Sequence, residues 1–353
     1  MRRSDLKYLF AYLIPLLVGV SLYLRGPWVF LALAVVFGLV PVIESRLPAD
    51  AENHPPEAEA ARARSRFFDL LLYLNVPIQY GLLGYYLWIA AAQPLAAYEW
   101  AGMILTMGLA CGVLGINVAH ELGHRKPPHE QRMAQALLLT SLYLHFFIEH
   151  NRGHHRHVAT PLDPATARHG EPLYAFWLRS VTGSFRSAWR LEAQRLAKAG
   201  RPAWTWDNQM LRFQLIQAAC ILGIFALGGW KAGLAFLAAA AVGFLLLETV
   251  NYLEHYGLER RMIRPGVYER VMPRHSWNSD QIIGRILLYE LTRHSDHHHL
   301  ASRKYQILRH EDESPQLPAG YPAMMLLALA PPLWFRVMDR KLEAWKKSEP
   351  GLG

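Results

Sequence analysis

Cysteine is almost missing from this chain: its 353 residues hold two, Cys111 and Cys220, both inside apolar stretches. That excludes a disulfide framework, a CxxC zinc pair and a cysteine-ligated iron site. Charge is scarce as well. Only 18% of the residues are Asp, Glu, Lys or Arg, against about a quarter in soluble domains, while 52% are hydrophobic, which argues against an ordinary soluble enzyme. There is no basic-aromatic module to turn the net charge of +9 into a nucleic-acid footprint, and asymmetric loop charge accounts for it better. No internal repeat is apparent. What the chain does have is histidine, 17 copies, and apolar runs of 17 or more residues, each long enough to cross a hydrocarbon core of about 30 Å as a helix.

These runs predict an all-α, polytopic integral membrane protein, a single domain over 1–353 with spans at about 8–24, 27–43, 67–91, 98–118, 213–229 and 234–254. The first run imitates a signal peptide, but a second span follows at once without a small-residue cleavage pattern, so it is read as a retained anchor. Pro77 interrupts the third span, which a membrane helix tolerates when neighbours satisfy the freed carbonyl. All but Arg25 and Lys231 of the 37 Lys and Arg residues fall on one side, which the positive-inside rule makes the cytoplasm. Residues 119–212 and 255–353 then form a cytoplasmic cap, and the polar loop at 44–66 is expected to be a mobile connection. Two further apolar stretches are not counted as spans. A crossing at 133–150 would carry His150 away from His120 and His124, so it is expected to lie in plane or buried; 322–338 holds Pro331 and Pro332 and is expected to be interfacial or re-entrant.

The histidines gather in three blocks, HELGH at 120–124, EHNRGHH at 149–155 and HSDHH at 294–298, with His255 isolated in NYLEHYG. Helical i, i+4 spacing puts His120 with His124 on one face, His150 with His154, and His294 with His297 and His298 at i, i+3, i+4, while His155 adds a neighbour. The topology, derived from hydropathy and loop charge alone, brings all four blocks to one membrane face. Nine imidazoles exceed the coordination of one ion, so the count favours two metals, with iron, zinc, copper and nickel all compatible. Glu121, Glu149, Glu254 and Asp296 stand inside or beside the blocks as carboxylates able to orient ligating rings, and Glu248 lies within a span on roughly the face of His255. His54, His129, His145, His169, His275 and His310 are read as ordinary structural histidines, and His157 and His299 as flanking residues that do not ligate. HELGH also fits the zinc-protease HExxH pattern with Glu121 as base, but the other seven clustered histidines make a protease a poor explanation.

At HELGHRK (120–126), EHNRGHHRHVATPLDPATAR (149–168), NYLEHYGLER (251–260) and LTRHSDHHHLASRKYQ (291–306) the sequence resembles the bacterial membrane-bound alkane 1-monooxygenases, within the histidine-rich desaturase and hydroxylase superfamily. With the spans, the resemblance covers nearly the whole chain. Desaturases typically carry HxxHH as the second block, whereas here three residues separate His150 from His154. The resemblance implies two non-haem iron ions, O2-dependent hydroxylation of the terminal methyl of an n-alkane to a primary alcohol, electrons from rubredoxin and its reductase, and a site on the cytoplasmic side of the bacterial inner membrane. It implies His120, His124, His150, His154, His155, His255, His294, His297 and His298 as the metal ligands. The chain departs from relatives at His157 and Leu162, where other residues, commonly acidic, are frequent; this leaves the ligand set intact.

An alkane offers no hydrogen-bonding handle, so an apolar tunnel reached from the lipid is expected, walled by spans two to four. Gly108 and Gly112 serve close helix packing or leave room for substrate, and Phe37, Tyr80 and Trp88 are candidate limits on chain length, although most such aromatics face lipid or the bundle core. Because no rubredoxin-type CxxC pair is present, the electron donor must be another protein or a part missing from this chain; most of the basic charge of the cap is read as positive-inside topology, and docking of an acidic donor is reserved for a small subset of it. A fatty acyl desaturase or hydroxylase is the alternative enzyme. A metal transporter is the alternative of another class, disfavoured because transport should place ionisable groups along the midplane.

Overall fold

The computed structural model describes residues 3–348, and they are mostly helical. Among the described residues five helices are long and apolar enough to cross a membrane: Arg3–Leu24, Gly26–Glu44, Arg66–Ala92, Ala97–Gly123 and Gln209–His255. The third restarts at Asn75, which puts Pro77 in a first turn where its missing N–H removes no intrahelical bond, and the Asn75 amide caps the Leu71 carbonyl at 2.7 Å. At one end of the bundle the Arg25 turn and the 93–96 loop meet: Arg25 donates to Gln93 and the Gly26 N–H to Glu99. All the histidine blocks lie at the other end.

The fifth has the two arms expected of two spans, and they are two helices that meet at a sharp kink. Asn208 caps its start, accepting from the Met210 and Leu211 N–H groups, and Gly229 breaks it with φ 72°. Beyond that glycine the chain turns back. Gln217 accepts from the Leu144 N–H while Phe244 stacks on the neighbouring Tyr143 at 5.1 Å, although the two residues would stand about 40 Å apart on a straight helix. The returning arm packs tightly on the fourth helix: at Gly108 a Cβ would collide with Val242, and at Gly112 it would stand 3.3 Å from Leu246.

The stretch 133–150 is not one helix. It is Pro128–Leu139, an irregular corner and Phe146–Glu149, buried against the bundle end. Residues 322–338 likewise divide between Tyr321–Ala328 and Pro331–Ser348, with Trp334 packed on Tyr252 and Tyr256. The expected mobility of 44–66 is corrected. A short helix, Pro56–Arg64, pins that segment: Arg62 is buried against Asp5 and donates to the Gln306 carbonyl, and Glu59 holds Arg309. Asp50 pairs with Arg285 in the same layer. These contacts tie the cap to the helix ends and leave the connection little freedom.

Candidate metal centre

Two irregular helical turns aim the histidines. The fourth spanning helix widens to a π-turn over Cys111–Asn117 before Val118–Gly123, and the second block is itself a π-turn over His150–His154. A π-turn brings i and i+5 to one face. His150 therefore faces His155, their Nε2 atoms 3.0 Å apart, and His154 turns elsewhere, which corrects the expected pairing of His150 with His154. The i, i+4 pairs His120 with His124 and His294 with His298 hold, while His297 leaves its block for the opposite group.

The nine histidines thus divide into a group of five, His120, His124, His150, His155 and His297, and a group of four, His154, His255, His294 and His298. Within each group one ring nitrogen per residue lies within 4.8 Å of all the others. In the first, Nε2 of His120 is 2.8 Å from that of His297, and Nε2 of His150 is 3.0 Å from those of both His124 and His155. One imidazole nitrogen holds either a proton or a lone pair, so His150 Nε2 cannot hydrogen-bond well to both. A shared cation resolves the conflict, because metal–imidazole bonds of about 2.1 Å put ligands at right angles about 3 Å apart. In the second group His154 Nε2 stands 3.2 Å from His298 Nε2, and both ring nitrogens of His255 and Nδ1 of His294 and His298 are buried without a hydrogen-bond partner. Such orphans cost about 1–3 kcal/mol each unless a ligand takes them up. The residues present fit two metal ions.

Burial also sets their protonation. It drives His150, His155, His294, His297 and His298 well below the ordinary histidine range and His124 down to about 3, so the rings are neutral, the ligating form. His154 is the exception. Burial works to lower it, but the neighbouring Asp163 carboxylate more than offsets this and leaves it raised. The two groups differ in access: His124 and His155 are half-buried, whereas every ring of the group of four is buried.

An apolar cavity ends on His120. Val36, Phe37, Leu109, Gly112, Leu246 and Met325 are among its walls, so Gly112 both packs and makes room. Its other polar neighbours are already engaged, Asn117 with the Leu288 carbonyl and Tyr321 with Glu254. A more open apolar cavity adjoins it, sharing Phe37, Leu246 and Met325. Tyr80 and Trp88, 40% and 55% exposed, stand on the outer surface and line neither.

Residues 94–328 match the family Fatty acid desaturase. The chain is 42% identical over 326 residues to alkane 1-monooxygenase 2 of Pseudomonas aeruginosa, covering 91% of this chain and 86% of the relative. It is 42% identical over 316 residues to the alkane 1-monooxygenase of Ectopseudomonas oleovorans, covering 89% and 78% respectively. The chain belongs to the alkane 1-monooxygenase family. More distantly, it is 33% identical over 345 residues, 95% of this chain and 89% of the relative, to the xylene/toluene monooxygenase hydroxylase component of Pseudomonas putida.

In this alkane 1-monooxygenase relative the acidic residues take distinct roles. Glu254 approaches a ring, its Oε2 3.1 Å from His294 Nε2, while its Oε1 accepts from Tyr321. Glu121 engages Arg125, and Asp296 is held by Arg303 and the Arg309 N–H. Glu248 binds Tyr143, Ser180 and Asn251 and touches no histidine. Glu149 is buried, and burial together with the Asp163 charge raises its carboxyl to about 8. A second carboxylate that meets a ring is Asp163, which sequence reasoning missed. Its Oδ2 lies 2.9 Å from His154 Nδ1 and also accepts from Thr166, while Oδ1 accepts from the Ala165 N–H. The signal was present, an acid in the DPAT turn of the second motif, but nine residues from its histidine and off any helical face. Of the histidines read as structural, His145 is buried against Tyr143 and Phe185, and His310 bonds Asp280.

Proposed function

We propose that this protein hydroxylates the terminal methyl of n-alkanes to 1-alkanols with O2, at two non-haem iron ions held by the groups of five and four histidines, with electrons from rubredoxin and its reductase. In this reading the two arms of the fifth helix cross separately, making six crossings of the bacterial inner membrane, and the histidines face the cytoplasm. The observation that carries it is the apolar cavity ending on His120, whose few other polar neighbours have their partners inside the protein. A ligand there is selected by length and shape alone, which suits an alkane. The bound irons supply the reductive activation of O2.

The residues contribute the rest. His120 belongs to both the cavity and the group of five, so it presents the ion to the substrate end. Phe37, Leu246 and Met325 keep water from the cavity and separate it from the outer one, whose apolar walls suit entry from lipid. Asp163 accepts from His154 Nδ1–H, which leaves Nε2 free to ligate. The match to the desaturase family supports a second reading, a fatty acyl desaturase or hydroxylase.

Product analysis separates them. Cells co-expressing the chain with a rubredoxin and its reductase are fed n-octane, n-dodecane and a fatty acid, and products are identified by mass spectrometry. A primary alkanol made under O2 and absent in His150→Ala is the expected result. An unsaturated acyl product without alkanol, from iron-loaded protein, would transfer the chain to the desaturases.

A further inference from the structure

With only Cys111 and Cys220, this sequence holds no CxxC iron site to bring electrons to the two ions. Hydroxylation by the proposed reaction breaks one C–H bond and the O–O bond and forms a C–O–H group. The second oxygen leaves as water after taking up two protons and two electrons. Two visits of a one-electron carrier, each oxidised by one electron, supply the balance, and the carrier needs a place to land.

The sheet of the described residues is a small hairpin, Met262–Arg264 paired with Val267–Tyr268. It is apolar where it should not be: Ile263 is 70% exposed and Met262 56%, and Leu162 on the segment beside it 61%. Cations surround these side chains. Arg156, Arg261, Arg264 and Arg270 are exposed and pair with no carboxylate among the described residues. Two acids stand near them in sequence: Glu269, already taken by Arg274, His275 and the Arg261 N–H, and Glu259, which is exposed on the neighbouring crevice wall and has no ion pair among the described residues, so four arginines face one open carboxylate. An exposed apolar centre within a cationic rim is the anatomy of a surface that receives an acidic protein.

The hairpin is also fastened to the metal centre. The Arg260 N–H donates to the Ala159 carbonyl, and its guanidinium to the Arg156 carbonyl at 2.9 Å. Between the hairpin and residues 159–169 runs a crevice that has Asp163 and Glu259 among its walls. From there a single hydrogen bond reaches His154 and the group of four. The other crevice that reaches the centre, at His124, is a weaker candidate. Its Arg125 and Lys304 are neutralised by Asp69, Glu121 and Glu130, and its Arg303 by Asp296, which leaves Lys126 there without an ion pair among the described residues.

We propose that the hairpin Met262–Tyr268, with Arg156 and Leu162, is the docking face for a small acidic one-electron carrier protein, placing the carrier over Asp163 and His154. The assignment rests on the monooxygenase reading above.

The test uses the full-length, iron-loaded chain in phosphatidylcholine nanodiscs, with an acidic rubredoxin and its reductase as the probe. R261E/R264E should raise the KM for rubredoxin about tenfold and flatten its salt dependence. Surface plasmon resonance should show the same loss of binding, with the metal-free chain as well. Octanol formed in a single turnover started with dithionite should not change. I263S, which leaves the charge alone, should raise KM about threefold and keep the salt dependence. Unchanged binding and KM in both variants would overturn the proposal. So would equal loss with dithionite, which would make the hairpin a support for the second histidine block. A KM shift that appears only with phosphatidylglycerol in the disc would give the face to lipid headgroups instead. If the unaltered chain makes no octanol with either donor, the hydroxylase reading fails, and the binding measurement still decides the docking face.

Discussion

Replacing Asp163 by Asn keeps size and shape and removes one charge from a place where neither partner reaches water: the His154 and Asp163 side chains are 1% and 0% exposed. The outcome turns on which way the new amide points. Oδ1 now accepts from the Ala165 N–H at 3.0 Å, while Oδ2 faces His154 Nδ1 at 2.9 Å and accepts from Thr166. If the amide oxygen keeps Ala165, its NH2 confronts His154 Nδ1 and favours the tautomer with the proton on Nε2, the atom needed for ligation. If it turns to keep His154, the Ala165 N–H loses its acceptor and the ring still loses an anionic partner. Removing such an orienting partner typically costs 10–100-fold in metal affinity or activity, or about 1.4–2.7 kcal/mol. Iron bound per chain, measured by plasma mass spectrometry over a chelator series, should therefore fall by one to two decades in apparent affinity at the group of four, with octanol formation falling alongside. A folded Asp163→Asn protein with unchanged iron affinity and turnover would refute the reasoning.

Three further outcomes follow from the same geometry. His150→Ala and His298→Ala should each abolish turnover and lower bound iron from two ions toward one, because they belong to different groups, whereas His310→Ala should retain both iron and activity; metal analysis with product assay checks this. Phe37→Ala should shift the product profile toward longer alkanes by joining the inner and outer cavities, and Tyr80→Ala, which lines neither, should leave the profile alone in a competition of octane, dodecane and hexadecane. Burial opposes ionisation of Glu192, but hydrogen bonds from Arg195, Arg152 and the Gln209 N–H hold its carboxyl down at about 2. A folded value below the unfolded one of about 4.3 stabilises the protein above the unfolded value, and the contribution is lost as pH falls toward the folded value. Glu192→Gln should thus lower stability by about 1 kcal/mol at pH 7, discounted for the exposed arginines, and the gap should close in thermal melts toward pH 3.

Much of the site could be read along the chain because its parts are local. Each histidine block is short, and the i, i+4 rule correctly paired His120 with His124 and His294 with His298. It failed at His150 because the turn there is a π-turn, and nothing in the composition of HNRGHH announces an i+5 face. Asp163 lies within the second motif but carries no local signal, since its contact to His154 depends on how the 158–166 loop folds back. The 44–66 loop looked mobile because it is polar and rich in Pro and Ala; the partners that order it, Gln306, Arg309 and Arg285, come from more than 200 residues away.

By itself the sequence determined the membrane character and the inventory of chemistry: apolar runs of spanning length, nine clustered histidines and almost no cysteine are properties of composition and short-range periodicity. Only the tertiary structure decided how nine imidazoles become five and four, which carboxylate holds which ring, and that an apolar cavity ends on His120. Those features arise between segments distant in the chain, where side-chain direction is set by irregular helical turns and by packing, and neither carries a short-range signature.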